Sequence, residues 1–392
     1  MGSRTAEIST PEGGRGPGLT QTVRAAEWWE FKLSPILATA YATAFLLNLS
    51  ITSLWPALLL ALAALVPGAA YVSVINDLTD IEDDLACGKP NRLVGRARAF
   101  VASVLACCVA PGVVVAFCWR GDPLLLSLYL AAWIAFTLYS LPPARLKARG
   151  MAGLLADACG AHLFPTLVVT VLVFRWGGLA LDRVWLASVA VWSLCLGLRG
   201  NLWHQLSDLP NDQKSGLRTF ARRHKITRLR GLGNFVIFPA EAAAFAVMLW
   251  RAGSLAAVAL LCLYALLELL RGRLWRVKPC VVVPGEGRRH IVMHEYYEVL
   301  FPAAFVLASS LRHPLDALVL AVHLLLFPRR ARRLLRDVTE LFAAPAADAW
   351  RRGEYGRWRL KMRAAAYAGR AGAMARDPRL AVGALRRRLP AK

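Results

Sequence analysis

Three oxygen-bearing side chains near residue 80 recur at intervals of four: Asn76, Asp80 and Asp84. On an α-helix this spacing places them in one column about 12 Å long. Like charges at this spacing repel each other unless a cation lies between them. Carboxylate and amide oxygens suit Mg²⁺ rather than zinc, so the sequence predicts that these three residues bind Mg²⁺. The alternative is an acidic helix end exposed to solvent, but the cluster continues an apolar stretch, where ionisable residues are costly and usually functional.

A second group with the same spacing follows at His204, Asp208 and Asp212. Pro210 lies between the two carboxylates and does not fit a regular helix interior, so we expect the helix to end near Asp208 or to kink there. Asp208 and Asp212 are predicted to hold a second metal ion. For His204, metal binding, proton transfer and simple hydrogen bonding all remain open.

Basic residues lie close to both acidic groups in the sequence. They are Lys89, Arg92, Arg145, Lys147, Lys214 and Arg218. Two acidic clusters on separate helices can each hold a metal ion with a diphosphate between them. Arg and Lys beside Mg²⁺ then neutralise the charge that develops on a leaving diphosphate. Each basic residue also has a simpler explanation as part of the positive charge of a membrane-protein loop.

Three motifs resemble the signatures of a known family, the UbiA superfamily of membrane prenyltransferases. The first runs Asn76-Asp77-x-x-Asp80-x-x-x-Asp84 and continues with Lys89-Pro90-Asn91-Arg92. The second is Tyr139-Ser140-Leu141-Pro142-Pro143-x-x-x-Lys147, and the third is Asp208-x-x-x-Asp212-x-Lys214-x-Gly216-x-x-Thr219. The motifs come in the family's order, and the resemblance covers about residues 30–310.

This resemblance implies an all-helical membrane bundle, usually of nine spans, around a central cavity that opens sideways to lipid. It implies two Mg²⁺ ions, one held by Asn76, Asp80 and Asp84 and the other by Asp208 and Asp212. The residues that it implies for the diphosphate are Arg92, Arg145, Lys147 and Lys214, and we add Lys89 and His204 as substrate-binding candidates. Tyr139 is implied to lie near the carbon that ionises.

The sequence departs from the family's pattern in three places. His204 stands where the family usually has an acidic or amide residue, and Leu93 stands where many members have proline. A basic tail of about 60 residues extends beyond the common family length. If this chain differs from the family in acceptor or in reaction outcome, we therefore expect the difference at the second acidic group.

Long apolar stretches are the elements that must position these groups. Hydrophobic residues make up 57% of the 392 residues, and the mean hydropathy is +0.44, which is more apolar than a soluble domain. The stretches lack the polar face of a soluble core helix, and each is long enough to span a bilayer. We predict spans at 30–53, 56–77, 99–119, 123–141, 152–174, 184–206, 233–250 and 254–271, and a longer block at 296–328. The sequence from Ser309 to Pro314 interrupts that block, so the predicted fold is all-α with nine or ten transmembrane helices.

Charge placement predicts the orientation and the domain limits. The net charge is +23, and the basic connections at 88–98, 144–149, 214–230 and 271–289 alternate with weakly charged ones. The positive-inside rule makes the basic set cytoplasmic, and an anionic membrane surface explains the charge better than nucleic acid does. Residues 1–29 are polar and are expected to be disordered and cytoplasmic, and residues 30–328 form the transmembrane domain. Residues 329–392 are predicted to form amphipathic helices on anionic lipid, the alternative being a disordered basic tail.

Eight cysteines are scattered along the chain without a Cys-x-x-Cys pair. Most of them lie inside apolar stretches, so reduced, buried thiols are expected, with neither a zinc site nor a disulfide framework.

The function predicted from these features is Mg²⁺-dependent transfer of a prenyl group from an isoprenoid diphosphate to an acceptor. An aromatic acceptor is the first hypothesis. Aromatic rings stabilise a carbocation through their faces, and the candidates are Tyr71, Trp133, Phe136, Tyr139 and Trp203, each of which also has ordinary packing as an explanation. One alternative is a terpene cyclase that needs no acceptor. Others are transfer to a sugar phosphate or another polar acceptor near His290, His294 and Glu295, and a non-catalytic lipid-binding protein.

Overall fold

The computed structural model describes residues 18–282 and 289–341, and within these ranges the protein is almost entirely helical. A pair of three-residue strands, β1 Lys278–Cys280 and β2 Arg289–Ile291, is parallel, with residue 278 opposite residue 289. The helices are α1 Leu19–Thr22, α2 25–46, α3 Thr52–Thr79, α4 Ile81–Cys87, α5 Arg98–Cys118, α6 Pro123–Ser140, α7 Met151–Trp176, α8 Arg183–Ser207, α9 Leu209–Ser215, α10 Phe220–Arg223, α11 Ile226–Ala252, α12 Leu255–Leu274, α13 296–310, α14 Pro314–Leu326 and α15 328–341.

Seven of the described helices are long and apolar enough to cross a membrane: α3, α5, α6, α7, α8, α11 and α12. Many of their large apolar side chains point outward. On α5, for example, Val113, Val114 and Phe117 are each at least 60% exposed. Such a surface is stable against lipid and unfavourable in water. The prediction of an all-α membrane bundle is confirmed, whereas the count of nine or ten spans stays a prediction.

The first and last parts of the apolar domain pack side by side. α2 contacts α13 and α7, and α7 also contacts α3, α6 and α8. α8 packs along α11, and α5 packs along α3. The helices that carry the acidic motifs, α3 and α8, therefore both lie against the same central helix, α7.

The predicted interruption of the last apolar block is confirmed, because α13 ends at Ser310 and α14 begins at Pro314. The fully buried Asp316 fixes this turn. Its carboxylate accepts hydrogen bonds from the N–H groups of Ile51 and Thr52 and from the hydroxyls of Ser50, Thr52 and Ser309. The turn after α13 is thus joined to the connection between α2 and α3, at the end of the bundle away from the acidic motifs.

Ordered structure begins earlier than the sequence predicted. The boundary at residue 29 is wrong for residues 18–29, since α1 starts at Leu19 and α2 at Ala25. The physical reason is local packing: Trp28 is buried and its indole N–H donates to the carbonyl of Val23 at 2.8 Å. Residues 1–17 lie outside the described residues.

The start of the basic tail is helical, as α15 covers 328–341. The Glu30 carboxylate accepts hydrogen bonds from the N–H groups of Arg329 and Arg330 at 3.0 and 2.7 Å. A carboxylate at this position satisfies free N–H groups and favours the positive end of the helix. The predicted contact of residues 329–392 with anionic lipid stays a prediction, and residues 342–392 lie outside the described residues.

An ion pair lies in the middle of the bundle. Arg199 on α8 and Glu241 on α11 have side chains that are 0% exposed, and the guanidinium donates to both carboxylate oxygens at 2.6 and 2.8 Å. Arg199 also donates to the carbonyl of Val292 at 2.8 Å. One buried side chain thus joins two apolar helices to the segment that follows β2.

Candidate active site

The first acidic motif lies at a break between two helices. α3 ends at Thr79, Asp80 has φ −107° and ψ 6°, and α4 begins at Ile81. The expected uninterrupted column is therefore wrong in detail. The Thr79 hydroxyl donates to the carbonyl of Asn76 at 3.1 Å, a local bond that competes with the regular helix. The N–H groups of Asp80 and Asp84 still bond back four residues, at 3.0 and 2.8 Å, which preserves the spacing of the motif.

The second acidic motif has the break that the sequence predicted. α8 ends at Ser207, and Pro210 lies in the first turn of α9, where proline is tolerated. Asp212 is buried and its carboxylate accepts a hydrogen bond from the Thr219 hydroxyl at 2.9 Å. Burial raises the pKa of Asp212, and the bond from Thr219 offsets part of that rise.

Both acidic motifs line one cavity of about 180 Å³, here called the acidic cavity. The predicted site residues on its wall are Asn76, Asp80, Asp84, Lys89, Tyr139, Lys147, His204, Asp208 and Asp212. Lys89 connects the two motifs directly, because its ammonium lies 3.3 Å from the Asp208 carboxylate. Residues more than a hundred positions apart in the chain are thus brought to a single site.

The connection after α6 supplies two cations to the first motif. The ammonium of the buried Lys147 donates to the Asn76 side-chain oxygen at 3.0 Å, and it also bonds the Asp80 carboxylate. Arg145 donates to Asp80 at 3.1 Å and to Asp83 at 2.6 Å. Burial lowers the pKa of Lys147 even though the Asp80 carboxylate opposes this effect. Arg145 has a left-handed backbone with φ 34°, a strained conformation for a side chain of this size.

Arg92, Arg145 and Lys214 do not line the acidic cavity. The Arg92 guanidinium bonds the Glu27 carboxylate at 2.5 Å and lies 3.7 Å from the carboxylate of Asp77. The Lys214 side chain is exposed. Sequence reasoning missed Arg24, which lines the acidic cavity and bonds the buried Asp77 carboxylate at 2.7 Å. The only signal for Arg24 in the sequence is that Asp77, if buried, requires a cationic partner.

The chemistry of the donors fits a hard divalent cation. The two motifs offer carboxylate and amide oxygens on one wall, without a cysteine among the predicted ligands, which is the ligand type that Mg²⁺ takes. Cations of the chain, Lys89, Arg145 and Lys147, are already bonded to Asp80 and Asp208. Within residues 18–282 and 289–341, no three His, Cys, Asp or Glu side chains are drawn together as a preformed metal cluster.

A second cavity, of about 100 Å³ and here called the apolar cavity, lies between α2, α3, α6 and α7. Three of the predicted aromatic candidates, Tyr71, Trp133 and Phe136, line it. The rings of Tyr71 and Trp133 lie 4.9 Å apart between centroids, and the Tyr71 hydroxyl shares a 3.0 Å hydrogen bond with Thr137. Tyr139 lies instead on the wall of the acidic cavity, one helical turn beyond Phe136 on α6.

Comparison with known proteins gives matches of three kinds. The sequence profile of the UbiA prenyltransferase family matches residues 36–281. A 2-acylphloroglucinol 4-prenyltransferase from Humulus lupulus is 28% identical over 180 residues, which cover 43% of this chain and 42% of that relative. The alignment thus spans less than half the length of this relative.

Two solved structures of a UbiA homologue from Archaeoglobus fulgidus are also similar. The one bound to GPP and Mg²⁺ has 15% sequence identity and a TM-score of 0.49, over 74% of this chain and 99% of that one. The one bound to DMAPP and Mg²⁺ has 14% identity and a TM-score of 0.46, over 75% and 99% of the two chains.

Proposed function

The chain belongs to the UbiA prenyltransferase family, and on this premise we propose that it transfers a prenyl group from an isoprenoid diphosphate to an aromatic acceptor in a Mg²⁺-dependent reaction. The observation that carries the proposal is the acidic cavity, where both motifs share one wall with Lys89 and Lys147. An aromatic acceptor is supported by the name of the hop relative, which acts on a 2-acylphloroglucinol.

We assign the metal ligands from the two motifs. Asn76, Asp80 and Asp84 would hold one Mg²⁺, and Asp208 and Asp212 would hold the other. When bound, the two ions would neutralise the diphosphate and make it a better leaving group. Their ligands already lie on a common wall, which supports one diphosphate between two ions over two separate sites.

Lys89, Arg145 and Lys147 are the proposed diphosphate ligands among the basic residues. Each is bonded to a motif carboxylate, so each lies within a side chain's reach of the metal ligands. Their charges favour the leaving diphosphate more than the bound substrate, because charge grows on the bridging oxygen as its bond breaks. Arg92 and Lys214 would contribute only through the field of the site, since within the described residues neither lines the cavity or bonds a proposed metal ligand, whereas Arg145 bonds Asp80.

The reaction that we propose balances without a further reactant. The allylic carbon–oxygen bond breaks and its electron pair leaves with diphosphate. A carbon of the acceptor ring supplies the pair for the new carbon–carbon bond, and that ring carbon then loses its proton. The faces of Tyr139, Phe136 and Trp133 would stabilise the cation, and the apolar lining of the neighbouring cavity would keep water away from it.

The apolar cavity is the proposed site of the prenyl chain, and Gly68 offers a test. A Cβ atom at Gly68 would lie 3.8 Å from the Trp133 ring, which is an ordinary contact, so a side chain there would enter the cavity without displacing the backbone. We expect Gly68→Leu to lower kcat/KM for geranyl diphosphate by about tenfold more than for dimethylallyl diphosphate, because lost apolar volume discriminates by chain length. Steady-state kinetics with both donors measures this ratio.

Gly231→Leu is the matched control, because a Cβ atom at Gly231 meets no atom within 4 Å and this residue does not line the apolar cavity. We expect the donor ratio of the control to equal that of the wild type. Equal losses for both donors in Gly68→Leu would contradict the assignment of the prenyl chain to this cavity.

We also propose that the acidic cavity opens toward the cytoplasm. The connections that form it include the basic segments 88–98, 144–149 and 214–230, which the positive-inside rule assigns to that side. Isoprenoid diphosphates are too charged to cross a bilayer, so this orientation gives a cytoplasmic donor direct access.

Membranes that contain the full chain test the reaction when they are supplied with prenyl diphosphates and phenols, an acylphloroglucinol among them. We expect a prenylated phenol and one diphosphate for each product, with both lost when Mg²⁺ is chelated. A terpene hydrocarbon or alcohol formed from the donor alone would show a cyclase and contradict the transfer. The absence of diphosphate release with every donor would contradict the proposal as a whole.

A further inference from the structure

A third cavity, here called the histidine cavity, lies between α2, α7, α8 and the start of α13 and has a volume of about 180 Å³. Its wall includes Asp157, His162 and His204, with Trp203 beside them. It shares His204 and Asn201 with the acidic cavity. It shares Lys32 with the apolar cavity. A molecule in it would therefore border both proposed donor sites.

Four polar side chains on this wall have no partner among the described residues. Asp157, His162, His204 and Lys32 make no side-chain hydrogen bond and no ion pair within residues 18–282 and 289–341. Asp157, His162 and Lys32 are partly buried and His204 is exposed, so each is free to bond a molecule that enters the cavity, and ionisable groups within a membrane protein often serve a ligand or a pathway. These groups can both donate and accept hydrogen bonds, so they suit a ligand with several hydroxyl groups.

The local backbone supports a ligand site at Asp157 and His162. α7 contains a π-helical turn at Cys159–Leu163, which includes His162 and begins two residues after Asp157. An i→i+5 turn brings residues five apart closer to one face than a regular α-turn does, and such turns are frequent at functional sites. The turn therefore explains how both residues reach one cavity.

Tyr297 and Trp203 are further residues of the cavity wall. The Tyr297 hydroxyl is buried close to Trp192 and Glu241 and makes no hydrogen bond within the described residues. Glu298, by contrast, is paired with Arg330 at 2.9 Å. The aromatic ring of Trp203 is available to the acceptor, and stacking of aromatic rings is favourable.

We infer that the histidine cavity binds the acceptor, and that the acceptor is a polyhydroxylated aromatic whose hydroxyl groups bond Asp157 and His162. The inference rests on the proposed function and assigns the second substrate of that reaction, the acceptor, to the histidine cavity. Lys32 favours an acidic phenol, because its ammonium stabilises the phenolate form. His204, on the wall shared with the acidic cavity, contacts the acceptor at the side nearest the donor. Asp157 and His162 are thus the residues that determine acceptor specificity.

Equilibrium binding to the full chain in nanodiscs tests the site without turnover. The probes are phloroglucinol and its trimethyl ether, which has the same ring but no hydroxyl group to donate. We expect phloroglucinol to bind and the ether to bind at least about tenfold more weakly, since each charged hydrogen bond is worth about 1.4 kcal/mol or more. Asp157→Asn and His162→Leu should each raise the Kd for phloroglucinol by about tenfold. Glu82→Gln, which removes an exposed carboxylate outside the cavity, should leave this binding unchanged.

Kinetics separates this inference from the proposed function. In Asp157→Asn we expect the KM for the phenol to rise about tenfold while the KM for the donor changes less than about twofold. An unchanged phenol KM, or equal rises in both values, would overturn the acceptor assignment while leaving prenyl transfer in place. If membranes that contain the wild-type chain show no prenyl transfer, the proposed function is overturned instead. Phloroglucinol binding that Asp157→Asn weakens would still establish the phenol site in that case.

Discussion

Asp80→Asn is expected to lower prenyl transfer by on the order of a thousandfold, because it removes one negative charge from the proposed first metal site. Asparagine has the same shape as aspartate and can still accept hydrogen bonds from Lys147 and Arg145, which bond Asp80 in the wild type. The chain should therefore fold, and the loss should be chemical. Initial rates of product formation at saturating Mg²⁺, with size-exclusion profiles in detergent, measure both properties.

Glu82→Gln is the matched control for this change. It removes a carboxylate from the same acidic segment, but Glu82 is exposed and does not line the acidic cavity, so we expect activity within about twofold of the wild type. Asp208→Asn should behave like Asp80→Asn, since the second motif faces the same cavity. If Asp80→Asn keeps more than about a tenth of the activity, Asp80 is not a ligand on which the reaction depends.

Arg199→Met is expected to destabilise the protein by about 4 kcal/mol, because it leaves the Glu241 carboxylate buried without its partner. Both side chains are 0% exposed and are joined by two hydrogen bonds. The substitution also removes the bond to the Val292 carbonyl, which holds the segment after β2. Unfolding in denaturing detergent, followed by intrinsic fluorescence, measures the loss of stability.

The double variant Arg199→Met with Glu241→Leu separates the ion pair from simple packing. Replacing both members with apolar side chains removes the unpaired charge, and such replacements are often neutral or stabilising. We therefore expect the double variant to recover most of the stability that the single variant loses. Equal instability of the two variants would show that the packing of Arg199, and not its charge, holds α8 to α11.

Features set by neighbouring residues could be predicted from the sequence. Pro210 predicts the break after Asp208, and the polar turn from Ser309 to Pro314 predicts the separation of α13 from α14, because proline and short polar turns act on the chain locally. The apolar stretches likewise predicted the long helices, since length and hydrophobicity alone decide whether a helix suits a membrane.

Features set by contacts between distant residues could not be predicted. The partner of Asp77 is Arg24, and Arg92 turns away to Glu27, although its motif suggested the diphosphate. The break at Asp80 comes directly after Thr79, whose hydroxyl bonds the Asn76 carbonyl. The π-helical turn that brings Asp157 and His162 together has no signature in residue spacing. Each of these required the packed structure.

The three cavities are related through shared wall residues. The histidine cavity, the proposed site of the acceptor, shares Asn201 and His204 with the acidic cavity and Lys32 with the apolar cavity. His204 stands at one of these shared walls. We propose that its departure from the family pattern serves a contact with the acceptor.

Binding of a non-reactive prenyl thiodiphosphate to the full chain tests most directly whether the two acidic motifs hold one diphosphate through Mg²⁺. Isothermal titration with and without Mg²⁺, on the wild type, Asp80→Asn and Asp208→Asn, separates the metal contribution from simple charge attraction. We expect tight binding only for the wild type with Mg²⁺, and loss of that binding in either variant. Binding that is equally tight without Mg²⁺ and unaffected by both substitutions would contradict this expectation.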